Sequence, residues 1–317
     1  MANEQARAQI HKQTDLVCLG EPLIELNQQA DGHYLPGIGG DTSNCAIAAA
    51  RQGSRVAYLS RIGDDTFGQQ LQACWASEAI DASAVQVVPE AQTGVYFVSH
   101  GEDGHQFSYR RAGSAASQMT PSALDYKVIE QTSVLHLSGI SLGISNSAAD
   151  ACFAAIEAAR QAGKTVSFDP NYRPALWPLP RARALIHEAM MLCQIALPGL
   201  DDARLLTGLT SADEICDLYL TRGAQIVALT MGAEGVILAT PDQRERVAPY
   251  PVQAVDATGA GDTFDGTFLA QWMLTGDPFA SARYANVAAA LSTQGFGAVT
   301  PIPLREQVER VLHHAGS

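Results

Sequence analysis

Short apolar runs alternate along the chain with longer, alanine-rich segments whose apolar residues recur at helical spacing. Such runs are typical of strands buried on both faces, and the segments between them are long enough for helices. The predicted strands are Leu16 to Leu19, Val56 to Ser60, Val134 to Leu137, Val166 to Phe168, Ile195 to Leu197 and Ile226 to Thr230. The predicted helices are Ser43 to Gln52, Phe67 to Glu78, Ala148 to Ala162, Arg181 to Cys193 and Ser211 to Arg222. Repeated strand–helix–strand units predict an α/β fold with a mostly parallel, helix-sandwiched sheet.

One region departs from this rhythm. Gly94 to His100 and Gln106 to Arg111 are β-like runs joined by Gly101-Glu102-Asp103-Gly104, in which Asp-Gly is a strong turn signal. The pattern predicts a hairpin that stands off the main sheet, and both a lid over a site and a surface hairpin without a role fit it. We expect a single domain over residues 1–317, with a lid formed mainly by about residues 93–113 and part of about 20–36.

The protein is acidic, with a formal net charge of −13 from 20 Lys and Arg against 33 Asp and Glu. Such a surface repels polyanions, so we expect neither nucleic acid nor a membrane as a partner. The six cysteines form no C-x-x-C pair and lie mostly in apolar stretches, which indicates buried free thiols in a reducing cytoplasm. Met1 to Thr14 is polar and unlike a signal peptide, and no apolar run approaches the ~18 residues of a membrane helix.

A glycine-rich loop, Asp256-Ala257-Thr258-Gly259-Ala260-Gly261-Asp262, leads into a helical pattern that ends near Thr275. Small residues at a helix start let backbone N–H groups approach a phosphate closely, where the helix dipole is positive. Asp262 is a candidate base that accepts the proton of an attacking hydroxyl as a phosphoryl group arrives. A helix-capping aspartate fits the same spacing, and the loop by itself leaves both interpretations open.

A second glycine pair, in Gly39-Gly40-Asp41-Thr42-Ser43-Asn44, precedes the first predicted helix. Asp41 can accept hydrogen bonds from sugar hydroxyls, and Asn44 can both donate and accept. Capping of the helix by Ser43 or Asn44 is the alternative interpretation, and the spacing alone does not exclude it.

Together the two loops resemble the two signatures of the ribokinase-like (PfkB-type) carbohydrate kinases, with Gly39-Gly40-x-x-x-Asn44, Gly53 and Gly63 in the first and Asp256 to Asp262 in the second. Ala257 and Thr267 depart from the residues usual in the family. The resemblance implies a ribokinase-like fold with a small β lid. It implies ATP and Mg²⁺ as cofactors, with room for a monovalent cation, and a catalytic set of Asp262, Gly259, Ala260 and Gly261.

Four segments are similar to those of 2-keto-3-deoxygluconate kinases: Gly40-Asp41-Thr42-x-Asn44, Tyr109-x-Arg111, Leu137 to Ser141 and Phe168 to Trp177. The resemblance implies transfer of the ATP γ-phosphate to the terminal hydroxyl of that sugar acid. Its carboxylate calls for arginine, which offers paired planar donors, although Arg110-Arg111 also fits a solvated edge-strand pair. The implied substrate contacts are Gly39, Gly40, Asp41, Asn44, Tyr96, Tyr109, Arg111, Arg173 and Asp262.

The nucleotide side is likewise implied by the resemblance. The positions that match nucleotide contacts are Asn171, Thr230, Gly232, Gly235, Thr258, Gly259, Gly261 and Asn286. Many relatives have an Asn-x-x-Glu motif that organises magnesium-bound water, whereas this chain has Gly199 and Asp202 at the matching positions. Asp202 is therefore expected to hold the metal through a water, because Mg²⁺ usually keeps most of its waters.

Three other functions fit parts of the sequence. A fructokinase or other neutral-sugar kinase shares the Asp-Pro-Asn-x-Arg and Leu-Trp pattern, and a non-catalytic sugar-acid sensor could have the same fold. A dinucleotide-dependent oxidoreductase is disfavoured, because no G-x-G-x-x-G follows the first strand. Residue types do not distinguish the gluco and galacto epimers of the sugar acid. Pairing of the predicted hairpin with its twin would give a homodimer or a higher homo-oligomer.

Overall fold

The structure is a computed structural model, and it describes residues 14–29, 31–101 and 104–315. The described strands follow one another along the chain as β1 (Leu16–Leu19), β2 (Leu23–Gln28), β3 (Tyr34–Gly39), β4 (Val56–Leu59), β5 (Arg61–Gly63), β6 (Gln86–Val88), β7 (Gly94–Gly101), β8 (Gly104–Arg110), β9 (Val134–Ser138), β10 (Thr165–Asp169), β11 (Ile195–Ala196), β12 (Ile226–Thr230), β13 (Val236–Ala239) and β14 (Arg244–Val247).

The described α-helices lie between and after these strands. They are α1 (Asp41–Arg51), α2 (Thr66–Ser77), α3 (Tyr126–Gln131), α4 (Gly139–Gly143), α5 (Asn146–Gln161), α6 (Leu179–Leu192), α7 (Leu200–Thr207), α8 (Ala212–Thr221), α9 (Ala260–Thr275), α10 (Pro278–Ser292) and α11 (Arg305–Ala315). None of these helices is long and apolar enough to cross a bilayer.

The main sheet has eight strands in the order β14-β13-β12-β11-β10-β9-β1-β4. The six strands from β12 to β4 pair in parallel, and β13 and β14 complete one edge in antiparallel. The predicted strands and helices match observed elements closely, and the predicted α/β fold class is confirmed.

Helices cover both faces of this sheet, as the apolar character of the strands predicts. Val17 and Leu19 of β1 contact a core cluster that includes α5, α6 and α8. Leu16 and Cys18 point the other way, into a cluster with α1, α2, α9 and α10. All six cysteines are free thiols, five of them buried and Cys74 half-buried, which agrees with their prediction as core residues.

A second, smaller sheet has the strand order β3-β2-β7-β8. Its β7 and β8 form the predicted hairpin, with Tyr96 opposite Tyr109, whereas Glu102 and Asp103 at the turn lie outside the described residues. The sheet runs on through β3 to Gly39, beyond the expected limit near residue 36. It therefore leads directly into α1, which begins at Asp41.

The parallel strands end at one edge of the main sheet, and polar residues follow them there. Glu21 lies just after β1, Asp169 ends β10 and Thr230 ends β12. In open α/β sheets this carboxyl edge is where ligands bind. The fold thus brings side chains from distant parts of the chain to one place.

Helices α1 and α9 cross at very close range on one face of the sheet. A Cβ atom placed on Gly266 of α9 would lie 2.1 Å from the carbonyl oxygen of Cys45 and 2.8 Å from Cβ of Ala48, both in α1. Since backbone atoms cannot move aside as a flexible side chain can, only glycine fits at this crossing.

We expect Gly266→Ala to lower the free energy of unfolding by about 1–3 kcal/mol, because the added methyl group must push the two helices apart. Thermal denaturation followed by circular dichroism measures the change. Gly261→Ala is the matched control in the same helix, since a Cβ there meets no atom within 4 Å. Equal melting temperatures for the two variants would contradict the close-crossing argument.

Candidate active site

A cavity of about 550 Å³ lies at the carboxyl edge of the main sheet and is also lined by residues of the second sheet. Its wall contains most of the side chains that the sequence predicts for a kinase site. The predicted residues that line it are Gly40, Asp41, Asn44, Tyr96, Tyr109, Arg111, Asn171, Arg173, Asp202, Thr230, Thr258, Gly259, Gly261 and Asp262.

Asp262 and Asn44 meet in this cavity, although they are far apart in sequence. Nδ2 of Asn44 donates a hydrogen bond to Oδ2 of Asp262 at 2.8 Å. Asp262 lies in the first turn of α9, whose N-cap is Gly259 and has no side-chain cap. Asn44 lies inside α1, whose N-cap is Gly40 and is also without a side-chain cap. Neither side chain is therefore a helix cap, and both face the cavity.

The glycine-rich loop holds an open helix N-terminus toward the cavity. Gly259 has a φ of 74°, a backbone conformation that favours glycine. Thr263 is the first residue of α9 whose N–H makes an α-helical hydrogen bond, which it donates to Gly259 O at 2.8 Å. The Ala260 N–H donates to Ala257 O at 3.2 Å, whereas the N–H groups of Gly261 and Asp262 have no intrahelical acceptor. Open N–H groups at a helix start are the geometry of an anion site. Buried Asp256 braces the loop by accepting hydrogen bonds from the backbone and hydroxyl of Thr258 and from Gly297 N.

The carboxyl group of Asp262 has a strongly perturbed pKa. Burial and the neighbouring charge of Asp41 raise the pKa of Asp262 to about 7, against the opposing effects of the Asn44 hydrogen bond and of Arg173. A carboxyl group with this pKa is protonated about half of the time at neutral pH and accepts a proton far more readily than an ordinary aspartate. The environment thus suits a general base.

Three acidic residues of the cavity wall are absent from the set predicted from sequence: Glu21, Asp169 and Asp265. Burial raises the pKa of all three, and the charge of Asp262 raises the pKa of Asp169 and Asp265 further. Asp265 is 3% exposed and lies one helical turn after Asp262. That i, i+3 spacing, and the position of Glu21 and Asp169 at strand ends, are signals that would have identified them.

Arg111 is buried and paired with Glu21. Its Nε donates to Oε2 of Glu21 at 2.6 Å, and its Nη2 approaches the same oxygen. The other oxygen, Oε1, accepts from the Ser114 hydroxyl at 2.6 Å. The guanidinium also lies 5.2 Å from the centre of the Tyr109 ring. The solvated-pair interpretation is therefore wrong for Arg111, although Arg110 beside it is exposed.

Arg173 has a looser ion pair at the cavity wall. Its Nη1 lies 3.5 Å from Oδ2 of Asp202, and the two side chains are 45% and 24% exposed. The same Oδ2 accepts a hydrogen bond from Tyr172 N at 3.1 Å. Of the two arginines proposed to contact substrate, Arg173 is the one with solvent access.

Two polar contacts hold Tyr96 and Asp41, two of the predicted substrate contacts, in place. The Tyr96 hydroxyl donates to Oε2 of Glu25, so this hydroxyl is already engaged. Nδ2 of Asn171 donates to Oδ2 of Asp41 at 3.1 Å, and Asn171 has a φ of 30°. Left-handed backbone is strained for most residues and best tolerated by glycine, asparagine and aspartate.

Five residues of the predicted set do not line the cavity: Gly39, Gly232, Gly235, Ala260 and Asn286. Gly232 and Gly235 form the turn after β12, beyond Thr230. Nδ2 of Asn286 donates to the carbonyl oxygen of Ala248 at 2.8 Å. Gly39 ends β3 directly below the Tyr96 ring, where a Cβ would be 2.4 Å from the hydroxyl oxygen.

The cavity wall suits a metal ion whose ligands are mostly waters and phosphate oxygens, with few protein side chains. Within residues 14–29, 31–101 and 104–315, no three His, Cys, Asp or Glu side chains are arranged to hold a metal ion. Asp202 contributes a single carboxylate at the cavity wall, next to Gly199 and Thr230. One carboxylate, waters and phosphate oxygens are the usual ligands of Mg²⁺ in phosphoryl-transfer sites.

Comparison with known proteins agrees with this geometry. The model of the pfkB family carbohydrate kinases matches residues 13–305. The 2-dehydro-3-deoxygluconokinase of Thermoproteus tenax is 32% identical over 308 residues, which cover 94% of each chain. Fructokinase-1 of Oryza sativa subsp. japonica is 31% identical over 319 residues, 95% of this chain and 98% of the relative. A ribokinase II structure from E. coli in complex with ATP and Mg²⁺ has a TM-score of 0.88 and 25% identity, covering 95% of this chain and 99% of that one.

The family match extends over nearly the whole chain and includes both glycine loops and the cavity between them. Relatives with two different sugar specificities are almost equally similar, so similarity identifies the family and not the sugar. The chain belongs to the pfkB family of carbohydrate kinases and is a sugar kinase with the ribokinase-like fold.

Proposed function

We propose that this kinase transfers the γ-phosphoryl group of ATP to the terminal hydroxyl of 2-keto-3-deoxygluconate (also called 2-dehydro-3-deoxygluconate), giving 2-keto-3-deoxy-6-phosphogluconate. The observation that supports a sugar acid is the half-exposed side chain of Arg173 in the same cavity as Tyr109 and Arg111. A plain hexose has no carboxylate to use such a donor, whereas a sugar acid can bind it through two oxygens. The Thermoproteus tenax relative is named as a kinase of this sugar acid.

In this mechanism Asp262 accepts the proton of the attacking hydroxyl, and Asn44 holds the carboxylate in position. The N–H groups at the start of α9, from Gly259 to Asp262, stabilise the charge that develops on the transferred phosphoryl group. Asp41, fixed by Asn171, binds the sugar hydroxyls from the other side. The arginines bind the carboxylate at the other end of the sugar acid and thereby orient its terminal hydroxyl toward Asp262.

The second sheet serves as a lid in this proposal. Its Tyr96, Phe107 and Tyr109 line the same cavity as Asp262. The ring centroids of Tyr96 and Tyr109 are 5.9 Å apart, and the Phe107 and Tyr109 rings are stacked. Closing this aromatic wall over the sugar excludes water, which limits hydrolysis of ATP.

Asp202 would hold Mg²⁺ through a water beside the nucleotide phosphates. When bound, the ion supplies positive charge that offsets the phosphate oxygens. Thr230, Thr258 and Asn171 also line the cavity and are the proposed nucleotide contacts. A monovalent cation is a further proposed cofactor.

Phosphorylation of fructose is the second candidate, and one observation favours it. Both cavity arginines already have a carboxylate partner, Glu21 for Arg111 and Asp202 for Arg173. A cavity whose cations are neutralised in this way does not need an anionic substrate. A sugar-acid sensor without turnover is the candidate from another class, and an ADP-release assay with the sugars below separates it from both kinases.

Two further expectations stand as proposals. A homodimer would form through the second sheet, which exposes Tyr34, Leu35 and Phe107. A reducing cytoplasm suits the six free thiols. Size-exclusion chromatography with light scattering tests the first of these directly.

An ATP-dependent screen of 2-keto-3-deoxygluconate, its galacto epimer, fructose and ribose tests the proposed substrate. We expect the highest kcat/KM for a keto-deoxy acid. At pH 9, where Asp262 is ionised with or without the Arg173 charge, Arg173→Ala should reduce kcat/KM for that acid by about tenfold to a hundredfold, because a charge-assisted pair is lost, and change it little for fructose. Arg173 is the better choice than Arg111, whose removal leaves Glu21 buried and unpaired. Equal losses for acid and fructose would contradict the sugar-acid assignment.

Asp262→Asn should lower kcat by about a hundredfold to ten-thousandfold, because the amide cannot accept the proton. Its melting temperature at pH 8 should not fall. A carboxyl group whose pKa is raised on folding destabilises the folded state when it ionises, so replacing it removes that cost above pH 7. Near-normal turnover in a folded Asp262→Asn protein would eliminate Asp262 as the base.

The pH dependence of kcat/KM should show an acid limb with an apparent pKa near 7, since only ionised Asp262 accepts a proton. Asn44→Ala removes a hydrogen bond to the charged form, so the limb should move to higher pH. Asp41→Asn removes a repelling charge, so the limb should move to lower pH. Initial rates at low substrate across pH 5–9 measure the shifts, and movement in the same direction for both variants would refute this account.

A further inference from the structure

The Arg173–Asp202 ion pair joins two parts of the cavity that have different proposed ligands. Arg173 follows Asn171 and Tyr172 after β10, and Asp202 lies in the first turn of α7. Arg173 Nη1 and Tyr172 N both approach the same oxygen, Oδ2 of Asp202. Under the proposed function, Arg173 binds the sugar acid and Asp202 binds the metal on the nucleotide side. Each residue is therefore both an ion-pair partner and a ligand contact.

Arg173 has electrostatic influence on both sides. Its positive charge lowers the pKa of Tyr109 on the sugar side, of Asp202 on the metal side and of the base Asp262 between them, in each case against the larger effect of burial. The Arg173 charge therefore acts on the proposed base and on residues of both proposed ligand sites. Its orientation therefore matters to substrate and nucleotide alike.

The pair is also weak enough to open. Its atoms are 3.5 Å apart and the Arg173 side chain is 45% exposed. Exposed ion pairs of this kind contribute little to stability, because water competes for both charges. The Arg111–Glu21 pair differs in each respect, with a 2.6 Å hydrogen bond and a carboxylate that is 1% exposed.

We propose that Arg173 and Asp202 couple the two substrate sites: their ion pair holds both residues in the empty enzyme, and binding on either side releases the partner for the other side. A metal–nucleotide complex that engages Asp202 frees the guanidinium for the carboxylate of the sugar acid. A sugar acid that engages Arg173 frees Asp202 for the metal-bound water. The inference rests on the proposed function, since it requires an anionic sugar.

The direction of this coupling is informative. Two anionic ligands in one acidic cavity should repel each other and bind with negative cooperativity. A shared ion pair that each ligand helps to break gives positive cooperativity instead. Once the first ligand has broken the pair, the second ligand binds a residue that is already free of its ion-pair partner. Positive coupling, together with tighter sugar-acid binding when the Asp202 charge is removed in the absence of nucleotide, is therefore specific to this proposal.

Isothermal titration calorimetry with 2-keto-3-deoxygluconate, with and without Mg²⁺ and a non-hydrolysable ATP analogue, tests the inference. We expect the nucleotide complex to tighten sugar-acid binding by about threefold to tenfold, a modest coupling that suits an exposed pair. Asp202→Asn keeps an acceptor for Tyr172 N but removes the charge. It should bind the sugar acid more tightly than the wild type without nucleotide, and the tightening by nucleotide should disappear.

Asp201→Asn is the matched control, because its carboxylate is adjacent in sequence, 97% exposed and paired only with Arg204 among the described ion pairs. It should behave like the wild type. Arg173→Ala should bind the sugar acid weakly and equally with and without nucleotide.

The outcomes separate the two proposals. Sugar-acid binding in the wild type that is independent of nucleotide, or coupling that survives in Asp202→Asn, would overturn the inference and leave the proposed substrate intact. Binding of fructose but not of the sugar acid under both conditions would overturn both.

Discussion

The close crossing of α1 and α9 is the constraint on which the site depends. Gly266 lets the two helices approach until its Cα faces the carbonyl of Cys45. At that distance the adjacent turns bring Asn44 to Asp262, across a separation of 218 residues in sequence. A wider crossing would leave Asp262 without its hydrogen-bond donor and would move the N-terminus of α9 away from the loop that contains Gly40 and Asp41.

The acidic character of the cavity is the second determinant of its chemistry. Six carboxyl groups line the cavity, against two arginines. Burial and mutual repulsion raise the pKa of Asp262 to about 7 and raise the pKa of its neighbours Asp169 and Asp265 as well. Such clustering destabilises the folded chain in the absence of ligands, which is a common property of active sites. Here it also makes the carboxyl group of Asp262 more basic, as its proposed role in proton transfer requires.

The sequence predicts the fold and much of the site because these depend on local patterns. Apolar runs identified the strands of the main sheet, the Asp-Gly turn identified the hairpin, and glycines next to helix starts identified both loops. Ion pairs between distant segments could not be predicted in this way. Glu21 and Arg111 are 90 residues apart, and nothing in either segment alone indicates that one neutralises the other.

Fewer of the predicted nucleotide contacts than of the predicted substrate contacts line the cavity, for the same reason. Thr230 reaches the cavity because a strand end fixes its position, whereas Gly232 and Gly235 follow in a turn whose direction a pattern does not determine. Asn286 lies on a helix, where its exposed amide contacts Ala248 O. A match to a family position indicates the type of contact that a residue makes, but not how far that residue lies from the ligand.

The backbone of Asn171 limits how this cavity could be redesigned. At a φ of 30° few residues other than glycine, asparagine and aspartate are tolerated. Glycine has no amide to reach Asp41, and aspartate would place a second carboxylate about 3 Å from the first. Asparagine alone among these satisfies both the backbone and the charge. Libraries that aim at new sugar specificities should therefore keep position 171 fixed and vary the aromatic wall at Phe107 and Tyr109, where side-chain size can change without altering the main chain.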